Sequence, residues 1–108
     1  MRWVQIIMAL QGELGRSPTH SVWYAHGEWG VRITAYATWY AVMVQRWTRS
    51  SWGEEDFVAE SFLEDVVRFM VRRGHHFALD QAVEAEEQWR SALAAAHVHQ
   101  REYDYGWN

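Results

Sequence analysis

The chain has 108 residues, 49% of them hydrophobic and 22% charged, with a formal net charge of −4 at pH 7. That is enough for one hydrophobic core but not two, and the hydrophobic share argues against disorder throughout. Cysteine is absent, which excludes a disulfide frame, a thiolate metal site and a cysteine nucleophile.

Arginine supplies all ten basic residues, and asparagine occurs only at the last position, a bias that a GC-rich genome would produce. Eight Trp and five Tyr exceed what so small a core needs, so some rings are expected on the surface. Five of the tryptophans (Trp23, Trp29, Trp39, Trp47, Trp52) fall close together in the sequence. Charge divides unevenly: residues 1–53 carry five Arg against two acids, +3, and residues 54–108 five Arg against twelve acids, −7.

The N-terminal MRWVQIIMAL places Arg2 before an apolar run, but Gln5 interrupts the run and QGELGR follows instead of a small-residue cleavage site, so it is not read as a signal peptide. The longest uncharged run, Ile33 to Gln45, is thirteen residues, too short to span a bilayer. A cytoplasmic location without membrane partners is the expectation.

In chain order, Trp3, Ile6, Ile7, Leu10 and Leu14 form one helical stripe, so residues 2–14 are read as a helix, although Trp-Val-Gln-Ile-Ile has strand propensity. Pro18 marks a loop. Residues 21–26 read as a strand, the glycine-flanked His26–Gly30 as a turn, and a hairpin follows. From Val31 the sequence alternates: Val31, Ile33, Ala35, Ala37 and Trp39 on one parity, Arg32, Thr34, Tyr36, Thr38 and Tyr40 on the other. A run this long needs a bend or reversal near Thr38, giving strands near 31–38 and 39–47. Ile33, Tyr36, Ala37, Tyr40, Ala41, Val44 and Trp47 also satisfy a helical stripe, so an all-α bundle is the alternative.

Ser51 with Glu54 fits a capping box, and the acidic Glu54-Glu55-Asp56 suits a first helical turn, so a helix is expected from Ser51 to Gly74. Its apolar face would be Val58, Ala59, Phe62, Leu63, Val66, Phe69 and Met70. A last helix is expected from Asp80 to about His97, with a narrow stripe of Ala82, Ala85, Trp89, Ala92, Leu93 and Ala96. Residues 101–108 read as a flexible tail or a last short strand. The fold class is therefore α+β: one domain over residues 1–108, order (α)βββαα, helices on one face of a three-stranded antiparallel sheet.

With helices on one face, the other parity is the candidate binding surface, carrying Arg32, Tyr36 and Tyr40, with Arg46 if the parity survives the bend; Trp47 and Trp52 complete the candidate partner-binding set. Tyr, Trp and Arg dominate interface hot spots because each joins a large contact area to a polar handle. The plain alternative is an ordinary solvated face with cross-strand pairs. Glu54, Glu55, Glu60 and Glu64 form a candidate acidic surface, suited to steering a basic partner; its alternative is a charged solvent face partly neutralised by the pairs Glu64–Arg68 and Glu86–Arg90.

His75-His76 and His97-x-His99 lack the spacing of a metal motif, and two residues apart on a helix point in opposed directions, so no metal or other cofactor is expected. No GxSxG, phosphate loop or dinucleotide fingerprint is present, leaving His26 with Glu28 as the only local acid–base pair, and no enzymatic activity is expected. At the level of topology the order resembles double-stranded-RNA-binding domains, but the corresponding helix would open on Glu54-Glu55-Asp56, where those need basic residues. Small acidic inhibitor proteins of phages share the general build. The expected function is a non-enzymatic protein-binding module of the inhibitor, adaptor or immunity type, of the kind that phages and mobile elements encode. Single-stranded nucleic-acid binding on the same face and homo-oligomerisation are the alternatives.

Overall fold

The computed structural model describes the backbone of residues 3–105 and the side chains of residues 3–97. The order is α1 (Trp3–Arg16), β1 (Ser21–His26), β2 (Trp29–Ala35), β3 (Tyr40–Thr48), β4 (Ser51–Glu60), α2 (Leu63–Arg72) and α3 (His76–Tyr105). The class is α+β as expected, but the antiparallel sheet has four strands, not three, in the order β1-β2-β3-β4. The all-α alternative falls with it.

The alternation in β2 decides which way the sheet faces. Val31 and Ile33 are fully buried, and pair across the strands with Tyr24 and Val22 on one side and Val44 and Val42 on the other. This face meets Ile6, Leu10 and Leu14 of α1, Val66, Val67 and Met70 of α2, and Ala78, Leu79 and Ala82 of α3 in one continuous core. All three helices thus cover the same side. Side chains of the opposite parity are left without a helix over them.

Helix α1 is where the apolar stripe placed it, with Ile6, Leu10 and Leu14 buried. The β1–β2 hairpin forms, but its turn is shorter than the His26–Gly30 read from the sequence: Trp29 and Gly30 already belong to β2, His26 pairs with Trp29, and Gly27 at φ 60° supplies the left-handed residue of the tight turn. The reversal expected near Thr38 is the four-residue connection from Tyr36 to Trp39. It shifts the parity beyond it, so that Tyr40 faces the helices opposite Ala35.

The largest correction is β4. Ser51–Glu60, expected as the first turns of a helix, pairs along β3 from Thr48↔Ser51 to Tyr40↔Glu60. Two features hid the strand. The reversal at Arg49-Ser50 contains no Gly, Asn or Asp, although Arg49 adopts φ 43°, so the usual hairpin signal is missing. A bulge then leaves Glu55 opposite no residue, since Val44 pairs with Asp56 and Gln45 with Glu54. The extra residue breaks the period of two, and the apolar run Phe57-Val58-Ala59 that follows reads as helical although its side chains alternate between the two faces of the sheet. Ser51 caps no helix; α2 begins at Leu63, after Phe62, and carries no side-chain cap.

Gly74, at φ 78°, ends α2 as expected, with His75 N–H donating to the Met70 carbonyl. Helix α3 starts at His76 instead of Asp80 and continues to Tyr105, through residues 101–105 that were read as a tail or strand; 106–108 lie outside the described residues. From Glu87 to His97 every side chain is exposed. The radius of gyration, 17.1 Å, exceeds the roughly 13 Å of a compact chain this size because this half of α3 projects from the body. Among the described residues no helix is long and apolar enough to cross a membrane.

Candidate interaction face

The helix-free side of the sheet carries Trp23 from β1, Arg32 from β2, Met43 and Trp47 from β3, and Trp52, Glu54 and Phe57 from β4. Their packing depends on Gly30. A Cβ at Gly30 would run into the Trp23 indole, so the glycine lets that ring lie down across β2 toward the middle of the sheet. There it meets the edge of Trp52, ring centroids 5.1 Å apart at 85°. Trp52 in turn packs against Trp47, its cross-strand partner, at 5.4 Å and 65°. Three indoles from three strands thus form one row, in the edge-to-face geometry that the ring quadrupole favours. Met43 and Phe57, paired across β3 and β4, extend the apolar patch. Trp47 is 44% and Phe57 48% exposed, so much of it meets solvent.

Guanidinium groups cover four of the seven tryptophans among the described residues. Arg32 lies over Trp23 at 5.3 Å, Arg46 over Trp29 at 5.3 Å, Arg68 over Trp3 at 5.7 Å and Arg16 over Trp89 at 4.9 Å. Trp39 stacks on Tyr36 at 4.5 Å. Among the described tryptophans, Trp47 and Trp52 are the two with neither an arginine nor a stacked tyrosine on their faces.

The residues singled out from sequence divide accordingly. Arg32, Trp47 and Trp52 are brought together on the open face. Tyr36 is in the β2–β3 connection, Tyr40 faces the helices, and Arg46 lies with Trp29 on the helix side, paired to Glu28 at 3.1 Å. The acidic set separates too. Glu54 shares the open face with Trp52, and Glu55 is the bulge residue beside it. Glu60 lies toward α2, and Glu64 is exposed in the first turn of α2. Sequence reasoning missed Trp23, Met43 and Phe57. The signal that could have found Trp23 is Gly30 itself, a glycine inside a strand beside a strand bearing a large ring.

The histidines take other roles. His75 packs on Trp29 at 5.4 Å and His26 on Phe77 at 6.0 Å, at the foot of α3. Burial holds the His75 imidazole below its ordinary pKa, with Arg73 and His76 adding to the effect and Asp56 opposing it. Glu28, the candidate acid beside His26, is engaged by Arg46. The Tyr24 hydroxyl is pushed above its ordinary range by burial first and then by Glu13, to which it donates at 3.4 Å. Among the described residues no three His, Asp or Glu side chains are placed to share a metal ion, and His99 lies outside the described side chains.

Two grooves lie away from the open face. One of about 400 Å³ runs between α1 and α3, lined by Val4, Met8, Val83 and Glu87, and one of about 500 Å³ lies between β4 and α2, lined by Asp56, Phe69 and Arg73. Comparison with protein-family models, with curated proteins and with solved structures gives no match.

Proposed function

We propose that the protein is a non-enzymatic binding module of the inhibitor, adaptor or immunity type, which docks a protein partner on the helix-free face of its sheet. The observation that carries this is the row Trp23–Trp52–Trp47, continued by Met43 and Phe57. A solvated antiparallel face needs no such row. A contiguous exposed apolar patch marks an interaction site, and tryptophan, methionine and arginine are enriched in interface cores.

The same rings suit stacked nucleobases, but the charges on this face do not suit a phosphate backbone. Its one central cation, Arg32, already lies on Trp23, and Glu54 and Glu55 stand beside Trp52. A protein partner fits that mixture better.

The experiment is affinity capture with the wild-type chain and with Trp47→Ala in parallel, with and without nuclease. A protein retained near stoichiometry by the wild type, resistant to nuclease and lost with Trp47→Ala, supports the reading. Retention equal in both chains sinks it.

A further inference from the structure

Resting on that reading, we infer that the open face receives a basic segment of the partner, with an arginine side chain laid on Trp47 or Trp52 and its charge met by Glu54 and Glu55. The placement of β4 is what joins these features. Two positions apart on one strand put Trp52 and Glu54 on the same face, with Cα atoms about 6.6 Å apart. Trp47 and Gln45 stand opposite them on β3. A carboxylate is therefore held next to a pair of indoles, and among the described residues no ion pair reaches Glu54 or Glu55.

The chain's own contacts show what an indole in this setting accepts. Trp23, at the other end of the row, already carries the Arg32 guanidinium at 5.3 Å. Trp3, Trp29 and Trp89 carry arginines too, and in all three cases an acid engages the same arginine: Asp65 holds Arg68 over Trp3, Glu28 holds Arg46 over Trp29, and Glu86 with Glu13 holds Arg16 over Trp89. Arginine on indole, anchored by a carboxylate, is thus a repeated unit of this structure. At Trp47, Trp52, Glu54 and Glu55 the indole and the carboxylates are in place and the arginine is missing. A planar, weakly hydrated guanidinium meets both demands at once, stacking on the ring and bonding to the carboxylate. A neutral apolar partner would cover the rings and leave Glu54 facing a desolvated surface, which costs affinity.

The test titrates the full chain with two peptides of equal length, an Arg-Gly repeat and a Glu-Gly repeat, following Trp fluorescence at low and at physiological salt. The expected result is binding of the Arg-Gly peptide, weakened about five-fold by Trp47→Ala and again by Glu54→Gln with Glu55→Gln. The pair Glu84→Gln with Glu87→Gln on α3, equal in charge but remote from the rings, should leave it unchanged. The substituted residues are exposed, and thermal melts confirm that each variant is folded. An α3 pair that weakens binding as much as the β4 pair, or a Glu-Gly peptide that binds as well as Arg-Gly, overturns the inference. So does a captured partner that Trp47→Ala releases but Glu54→Gln with Glu55→Gln does not; that outcome leaves the sheet face standing as the binding surface. A partner indifferent to all of these substitutions removes the face itself. A dimer dissociated by Trp47→Ala, or quenching by oligonucleotides in place of the peptide, assigns the face to a second copy or to nucleic acid and likewise overturns the inference.

Discussion

Trp23 lies on the bare backbone of Gly30, filling the space that a side chain at that position would occupy. The two residues sit on adjacent strands, and the glycine is buried because the indole covers it. Replacing Gly30 with alanine should force the ring up and break the edge contact with Trp52. Overpacking of this kind costs about 1–3 kcal/mol. A melting temperature lowered by roughly 5 °C or more, together with a changed near-ultraviolet circular dichroism signal, is the expected outcome. An unchanged melt would mean that Trp23 moves aside at no cost and that the row is not a rigid surface.

Trp47 should behave differently. Because it is 44% exposed, Trp47→Ala is expected to change stability by less than about 1 kcal/mol while weakening partner binding by about 2 kcal/mol, near thirty-fold. Tyr36→Ala, in the β2–β3 connection, and Arg46→Ala, on the helix side, should leave binding within two-fold. Titration calorimetry on the three variants separates the open face from the set of residues that share a parity in the sequence.

Where local rules and long-range pairing agreed, the sequence was legible. The stripe Ile6–Leu10–Leu14, the alternation Val31–Ile33, and Gly27 and Gly74 at positive φ each follow from period or backbone conformation alone. Legibility failed where a bulge or a connection reset the register. The bulge at Glu55 turned a strand into an apparent helix, and the connection at Tyr36–Trp39 moved Tyr40 to the other face. Capping boxes and hairpin corners draw on the same short polar residues, so Ser51-x-x-Glu54 fitted both; the pairing of Thr48 with Ser51 decided between them. The candidate face was half visible: Arg32, Trp47 and Trp52 were named, but Trp23 joins them only through a glycine whose role depends on a ring from another strand.

His75 gives the fold a dependence on pH. Its folded pKa lies below the ordinary value of about 6.5, chiefly because it is partly buried against Trp29, with Arg73 and His76 disfavouring its charge and Asp56 favouring it. The unfolded chain therefore binds the proton more readily than the folded one. Its contribution is absent well above pH 6.5, and stability is lost as pH falls through 6.5 toward the lowered folded value. Denaturant titrations at pH 7.5 and 5.5 should show a larger loss for the wild type than for His75→Gln. A loss of equal size in both would place the acid sensitivity elsewhere.

Arg16 ties the projecting helix to the body. Its guanidinium bonds to Glu86 at 2.5 Å and to Glu13 at 3.4 Å, and lies over Trp89 at 4.9 Å, so the last turn of α1 holds the point where α3 leaves the core. With 28% of the Arg16 side chain and 14% of the Glu86 side chain accessible, the pair is partly shielded, worth more than a surface ion pair but less than a buried one. Arg16→Ala would leave the Glu86 carboxylate with only the exposed Arg90. The expected cost is about 1–2 kcal/mol, and its location is more telling than its size. Amide exchange should accelerate in α3 from about Val83 outward, while amides in β2 and β3 keep their protection relative to global unfolding. Uniform acceleration across the sheet and α3 would instead mean that the helix unfolds only with the core, and that Arg16 contributes to the whole fold without fixing the start of the projection.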